Sequence, residues 1–144
     1  MRKLLEDTIE DCMLVIFGAS GDLTARKLIP ELYNLFVRKR LPEKFCVQCV
    51  SRSQYTSEEF RDRLLKKAKE KVAFAPDLAQ WSEFAELLFY VPLDAASDQM
   101  AELPAVLNDL GQRFEVKNRL FYLSVNPTLY EDIISQLSLS LIHI

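Results

Sequence analysis

Met13-Leu14-Val15-Ile16-Phe17-Gly18-Ala19-Ser20-Gly21-Asp22-Leu23-Thr24-Ala25-Arg26-Lys27-Leu28-Ile29-Pro30 is the stretch from which the rest of the chain can be read. Met13 to Phe17 is a short, unbroken apolar run. Strands of a parallel sheet read this way because helices cover both of their faces. A glycine loop follows at once. Leu23, Lys27, Leu28, Leu32, Leu35 and Phe36 then recur at threes and fours, the spacing of a helix. Pro30 falls inside that pattern, where it removes a backbone hydrogen bond and is expected to kink the helix. Arg38-Lys39-Arg40 ends it, with cations at the negative end of the helix dipole.

A strand, a glycine loop and a helix in that order form the phosphate-binding start of a dinucleotide fold. The first glycine lets the chain turn sharply out of the strand. A later one lets the backbone approach a pyrophosphate with no side chain between. Amides at the helix start are then expected to face phosphate oxygens. Gly18 and Gly21 suit these parts and are two of only three glycines in the chain. The strict G-x-G-x-x-G pattern is not met, since Ser20 and Leu23 occupy its other glycine positions. The spacing is G-x-x-G-x-x-T, which on its own also describes plain turn glycines.

The pattern continues outward from this loop. Phe45 to Val50 reads as a second strand and Ser51-Arg52-Ser53 as the loop after it. Thr56 or Ser57 can cap a helix whose body is Asp62 to Lys71, and Pro76 breaks it. A short helical piece, 78–86, leads to a third strand, 87–91, closed by Pro92. A helix is expected over 98–110, interrupted by Pro104, with Gly111 as its end or as a local break before Phe114. Leu120 to Val125 reads as the fourth strand, and Asn126-Pro127 as the start of a helix through Leu137. Strands alternating with helices predict an α/β, Rossmann-like, doubly wound parallel sheet. With four strands it is expected to be incomplete, and a substrate domain is expected to be missing.

The nucleotide is suggested by the end of the second strand. NAD sites usually place an acidic residue there for the ribose hydroxyls. Here the strand ends in Ser51-Arg52. An arginine can pair with the 2′-phosphate of NADP, and Ser51 and Ser53 can add hydroxyl contacts. The plain alternative is a solvent-facing arginine. Arg52 stands 34 residues beyond Gly18, farther than the usual ~20, and the long first helix absorbs the difference.

Composition narrows the rest. The 144 residues carry a net charge of −3, with Lys and Arg interspersed among Asp and Glu, so no nucleic-acid partner is expected. No run approaches the ~20 apolar residues of a membrane span, and no secretion signal is read at Met1 to Asp7. Three cysteines, an odd number without framework spacing, suit a reducing cytoplasm. Cys46 and Cys49 form a C-x-x-C pair that invites a zinc reading. Residues three apart on a strand point to opposite faces, so buried thiols packing as small hydrophobes is the competing reading. No metal site is expected.

The segment from Gly18 to Pro30 closely resembles the N-terminal signature of glucose-6-phosphate dehydrogenases, including its Asp-Leu and the Arg-Lys before the proline. The resemblance continues through Leu41-Pro42, Ser51-Arg52 and Phe60-Arg61, and returns at Asn118-Arg119-Leu120-Phe121-Tyr122-Leu123-Ser124-Val125-Asn126-Pro127. It covers roughly Met13 to Leu137; the middle of the chain adds little. The resemblance implies an enzyme that oxidises glucose 6-phosphate at its anomeric carbon, passing hydride to NADP and leaving a lactone. It implies that Gly18, Ala19, Ser20, Gly21, Asp22 and Leu23 form the cofactor loop and that Arg52 contacts the 2′-phosphate. It also implies that Lys27 faces the active site and helps position substrate and nicotinamide; the plain alternative is a solvated helix lysine. Tyr122 and Leu123 match the strand beside the cofactor, or are simply core.

The chain departs from the family in three places. Asn126-Pro127 stands where the family has two adjacent prolines. The Glu-Lys-Pro segment with its substrate-facing lysine does not occur, nor does the Asp-His-Tyr-Leu-Gly-Lys segment whose histidine is the general base. The one histidine, His143, lies in no such motif and receives no catalytic role. The chain is therefore expected to be an N-terminal fragment that does not turn over alone, or a stand-alone NADP-binding module. Residues 138–144 are expected to be a non-native tail, with a short edge strand as the alternative. The family's dimer, formed through its second domain, is expected only of the full-length protein. A short-chain reductase is disfavoured because no tyrosine has a lysine four residues on.

Overall fold

The computed structural model describes residues 10–140, apart from 20, 22–23, 71–73, 95–96 and 126. Ser20, Asp22, Leu23, Asn126 and His143 therefore lie outside the described residues. The elements are β1 (Cys12–Phe17), a π-helical turn (Thr24–Leu28), α1 (Ile29–Val37), β2 (Phe45–Ser51), α2 (Ser57–Lys69), α3 (Leu78–Ala85) and β3 (Leu88–Pro92). A 3₁₀ turn (Asp98–Glu102), α4 (Leu103–Phe114), β4 (Asn118–Leu123), a second 3₁₀ turn (Pro127–Leu129) and α5 (Tyr130–Ser140) complete them. All strand pairs are parallel, and the sheet order is β3-β2-β1-β4. That is the first half of a doubly wound sheet, as the alternation predicted.

Period-two alternation in β1 and β2 feeds two separate cores. Leu14 and Ile16 of β1, with Val47 and Cys49 of β2, face α1, α2 and α3 through Leu32, Phe60, Leu64 and Phe84. Met13, Val15 and Phe17, with Cys46 and Val50, face α4 and α5 through Leu103, Leu107, Leu110 and Ile133. Leu14, Val15, Ile16 and Phe17 have no exposed surface, which explains why β1 reads as a continuous apolar run. Cys46 and Cys49 lie on opposite faces of the sheet and, like Cys12, are free and buried. Among the described residues no cluster of His, Cys, Asp and Glu side chains could hold a metal. Nor is any described helix long and apolar enough to cross a membrane.

Both prolines expected inside helices stand in first turns instead. Pro30 opens α1 after the π turn, and Pro104 opens α4 after the 3₁₀ turn. A proline in the first turn gives up a donor that has no intrahelical partner anyway. The single helix expected from Leu23 is thus divided, and the wider π turn accommodates the change before Pro30. Gly111 neither ends nor breaks α4. The helix runs on to Phe114 and closes at Glu115, which adopts a left-handed φ of 57°. The amide of Val116 then donates to Gly111 O (2.9 Å) and that of Glu115 to Gln112 O (3.3 Å), a Schellman closure. A Cβ on Gly111 would lie 2.9 Å from Val116 O, so the returning chain needs glycine inside the helix.

Several boundaries shift, among them these. β3 includes Pro92, whose missing N–H is tolerated on an edge strand. β4 begins at Asn118, two residues before the expected start, and ends at Leu123. The last helix begins with the 3₁₀ turn at Pro127 and runs through Ser140, so 138–140 continue it rather than forming a strand.

Two measurements test this packing. Gly18 has φ 78°, and a Cβ there would lie 2.0 Å from Ser124 O. Gly18→Ala is therefore expected to lower stability by more than ~3 kcal/mol in urea unfolding; a change within ~1 kcal/mol would mean that β1 and β4 part differently. Burial raises the thiol pKa of Cys12 and Cys49 and pushes that of Cys46 up to about 12. Burial likewise raises the phenols of Tyr33 and Tyr90. In the unfolded chain thiols ionise near ~8.5 and phenols near ~10. Their neutral forms favour the fold fully below those values, and that contribution is lost as pH climbs toward the folded values. The urea midpoint is expected to fall between about pH 7.5 and about pH 10.5, and a flat profile would contradict the burial of these groups.

Candidate functional site

The site lies at the carboxyl end of the sheet, where β1 and β4 leave one another. Helical connections depart to opposite faces from these two strands, α1 toward one core and α5 toward the other. Such a switch point opens a crevice beyond the strand ends, the usual ligand position in an open α/β sheet.

Gly18 sits at the mouth of this crevice. Its amide and that of Ala19 both donate to Val50 O, at 2.8 and 3.2 Å, while the amide of Ser124 donates to Phe17 O at 2.8 Å. The turn is therefore clamped by the ends of β2 and β4. Gly21 differs. A Cβ there would meet only Gly18 O, at an ordinary 3.4 Å, and its φ is not positive. Nothing in the described packing demands glycine at 21. The amide of Gly21 donates to Gly18 O (3.1 Å) and that of Ala25 to Gly21 O (3.3 Å). The amides of Gly18 and Ala19 are thus spent on β2, and those of Gly21 and Ala25 on carbonyls of the loop itself, rather than aimed outward. A phosphate cradle, as expected from the sequence, would have to use other amides of this turn.

Thr24, the last member of the G-x-x-G-x-x-T spacing, has no exposed surface, and its Oγ1 has no hydrogen-bond partner among the described residues. A buried hydroxyl without a partner is costly, and this one stands at the start of the π turn next to the loop. Sequence reasoning used Thr24 only to describe the spacing. Arg26 pairs with Glu70 at 2.8 Å, both half exposed. Lys27, exposed on the same turn, has no ion-pair partner among the described residues. Tyr122 and Leu123 are partly buried, Tyr122 packing against the α1–α3 core and Leu123 against the α4–α5 core.

Across the sheet, Arg52 is exposed just past β2 and likewise has no ion-pair partner among the described residues. The loop carrying it is held from β3. Tyr90 Oη donates to Ser53 O at 2.5 Å and is also hydrogen-bonded to Ser51 Oγ. Tyr90 N donates to Ser57 Oγ (3.0 Å). Ser57 begins α2, whose capping box is complete: Glu59 N donates to Thr56 Oγ1 (3.1 Å) and Thr56 N to Glu59 Oε1 (3.0 Å). The structure thus brings Ser51, Arg52 and Ser53 together with Tyr90, a residue that sequence reasoning read only as part of a strand. Its place on β3, the strand next to the one that leads into the loop, was the available signal.

The fold is shared with known proteins. Residues 15–143 match the family model described as glucose-6-phosphate dehydrogenase, NAD binding domain. The chain is 38% identical over 135 residues to glucose-6-phosphate 1-dehydrogenase of Treponema pallidum, covering 92% of this chain and 26% of that protein. It is 40% identical over 124 residues to the enzyme of the same name from Aggregatibacter actinomycetemcomitans, covering 84% of this chain and 24% of that protein. A solved structure of glucose-6-phosphate dehydrogenase in complex with glucose-6-phosphate superposes with a TM-score of 0.78 at 29% identity, over 92% of this chain and 28% of that one. The chain spans about a quarter of the length of the curated relatives it matches. With a switch-point glycine loop, a 3-2-1-4 parallel sheet and a family match over 15–143, the chain belongs to the glucose-6-phosphate dehydrogenase family, in its NAD-binding domain.

Proposed function

We propose that this chain is the NADP-binding part of an enzyme that oxidises glucose 6-phosphate to its lactone. The observation that carries the reading is the contrast between the two loop glycines: Gly18 is required by the fold, whereas Gly21 is left bare where a ligand would approach. When bound, NADP supplies the hydride acceptor. The residues present suit that group. Gly18, Ala19 and Gly21 shape the loop, and the orphaned Thr24 hydroxyl lies beside it. Ser20, Asp22 and Leu23 would complete the loop, as the resemblance implies. Arg52, without an ion-pair partner among the described residues, offers its guanidinium just past β2, where the 2′-phosphate of NADP would distinguish it from NAD. Lys27, exposed on the π turn and likewise without an ion-pair partner among the described residues, would orient substrate and nicotinamide.

Alone, the chain is expected to bind nucleotide without turnover, because none of its described groups is a candidate general base for the sugar hydroxyl. Glucose 6-phosphate is the substrate, and dimerisation a property, of the longer protein. The free, buried thiols of Cys12, Cys46 and Cys49 suit a reducing compartment such as the cytoplasm.

Titration of the chain with NADP⁺ and NAD⁺, with fluorescence or calorimetric detection, tests this reading. Binding of NADP⁺ with no NADPH formed on adding glucose 6-phosphate is the expected result; failure to bind either nucleotide would sink the proposal. Arg52→Ala is expected to weaken NADP⁺ by about 10–100-fold, the scale of a charge-assisted contact, with NAD⁺ unchanged. Gly21→Ala is expected to keep stability within ~0.5 kcal/mol of the parent and still weaken both nucleotides. If Gly21→Ala bound like the parent, the bare glycine would have no ligand role.

A further inference from the structure

Tyr90 lies on β3, away from the glycine loop, yet its hydroxyl reaches both residues that flank Arg52. Proton bookkeeping fixes the direction of these bonds. The carbonyl of Ser53 can only accept, so the phenol proton of Tyr90 goes there. Tyr90 Oη then has only lone pairs left for Ser51, so the Ser51 hydroxyl must be the donor in the second bond. The chain of protons runs Ser51 Oγ–H to Tyr90 Oη, and Tyr90 Oη–H to Ser53 O. A serine hydroxyl has one proton, and that of Ser51 is spent. A phosphate accepts hydrogen bonds and offers none of its own when ionised, so Ser51 has nothing left to donate to it.

We propose that Tyr90 is a positioning residue for recognition of the 2′-phosphate, tying Ser51 to Ser53 across Arg52, and that Ser51 is part of this tie rather than a phosphate ligand. The inference rests on the NADP reading of Arg52 given above.

The surroundings of Tyr90 suit a fixed anchor. Its side chain is 7% exposed. The ring stacks on Phe60 with centroids 4.3 Å apart and meets Tyr55 edge-on at 5.9 Å. Arg63 covers the other aromatic, Tyr55, at 5.3 Å. The Tyr90 amide and carbonyl are both bonded to Ser57 Oγ, at 3.0 and 3.4 Å, so α2 holds the backbone while the phenol holds the loop. Burial raises the phenol pKa, so it remains a donor near neutral pH. A long arginine on a free loop samples many positions, and holding its backbone on both sides lowers the cost of ordering it against a ligand.

The test uses the 144-residue chain with Tyr90→Phe, which keeps the ring and removes the hydroxyl, Ser51→Ala, which breaks the tie from its other end, and the double variant. The readout is the ratio of NADP⁺ to NAD⁺ affinity, which a loss of general stability would not move. Tyr90→Phe and Ser51→Ala are each expected to lower that ratio by about fivefold to tenfold, the scale of one hydrogen bond, and the double variant by no more than either alone. Equal weakening of both nucleotides, or an unchanged ratio, overturns the positioning role. Additive losses overturn the tie and restore Ser51 as a direct ligand. If Tyr90→Phe does not fold, Ser51→Ala carries the test through the ligand-free backbone order of 51–54, which loss of a direct phosphate ligand would leave unchanged. Backbone order at 51–54 by NMR relaxation gives a ligand-free check: both variants should loosen these residues, and unchanged order counts against the tie. Arg52→Ala separates the two readings. If it leaves the ratio intact, the NADP assignment itself fails; if it collapses the ratio while Tyr90→Phe does not, only the positioning role fails.

Discussion

Gly18 has no room for a side chain because two strand ends converge on it. The amide of Ser124 reaches Phe17 O, so β4 stays paired with β1 to the last residue of β1, and Ser124 O then occupies the space where a Cβ on Gly18 would stand. On the other side, Val50 O takes the amides of both Gly18 and Ala19, so the turn is also fastened to β2. The crevice at the switch point exists because this turn is tight: the chain leaves β1 at once for the π turn and α1, while β4 leads to α5 on the opposite face. Any residue bulkier than glycine would push the end of β4 away from β1.

The two edges of the sheet are finished differently, and the contrast bears on the site. On β3, α2 supplies side chains to the backbone: Arg61 Nε donates to Leu88 O at 2.8 Å, and Ser57 is bonded to the amide and carbonyl of Tyr90. Arg61 and Arg113 also approach the Phe89 ring, at 5.2 and 5.0 Å. The edge is thus covered by charged side chains, one of the ways sheets avoid pairing with strangers. The loop bearing Arg52 borrows its order from this edge, through Tyr90, and α2 in turn is started by the Thr56–Glu59 capping box. On β4, Leu120 to Leu123 are all only partly buried, and Tyr130 and Ile134 of the following helix are exposed, one helical turn apart. That side of the sheet offers both hydrogen-bonding and apolar surface.

Much of this was legible in the residues. The apolar run before Gly18, the capping residue Thr56 and the strand–helix alternation each follow from local chemistry, and the C-x-x-C pair divides between two faces as strand geometry requires. The helix ends were not. Lys39 and Glu115 take left-handed conformations that usually call for glycine, so nothing in their identity marked the closures of α1 and α4. Gly111, the residue that did resemble a stop signal, is needed one turn earlier, where Val116 folds back. Pro30 and Pro104 look like breakers in a helical pattern, yet first-turn prolines carry no penalty, and only the structure shows where each helix starts. In the candidate site, the tight turn after β1 and the position of Arg52 just past β2 were readable. The commitment of the loop amides to internal acceptors and of the Ser51 proton to Tyr90 was not, because each depends on a residue brought close by the fold.

The strand order also has a consequence in time. β1 is the centre of the sheet, and its neighbour on one side, β2, follows closely in sequence. Its other neighbour begins at Asn118, paired with Cys12, a separation of 118 − 12 = 106 residues. At ribosomal speeds of about 5–20 residues per second, that interval lasts roughly 5–20 s. Throughout it, β1, the most apolar of the four described strands, has been made but has one open edge, and Gly18 has no Ser124 to close against.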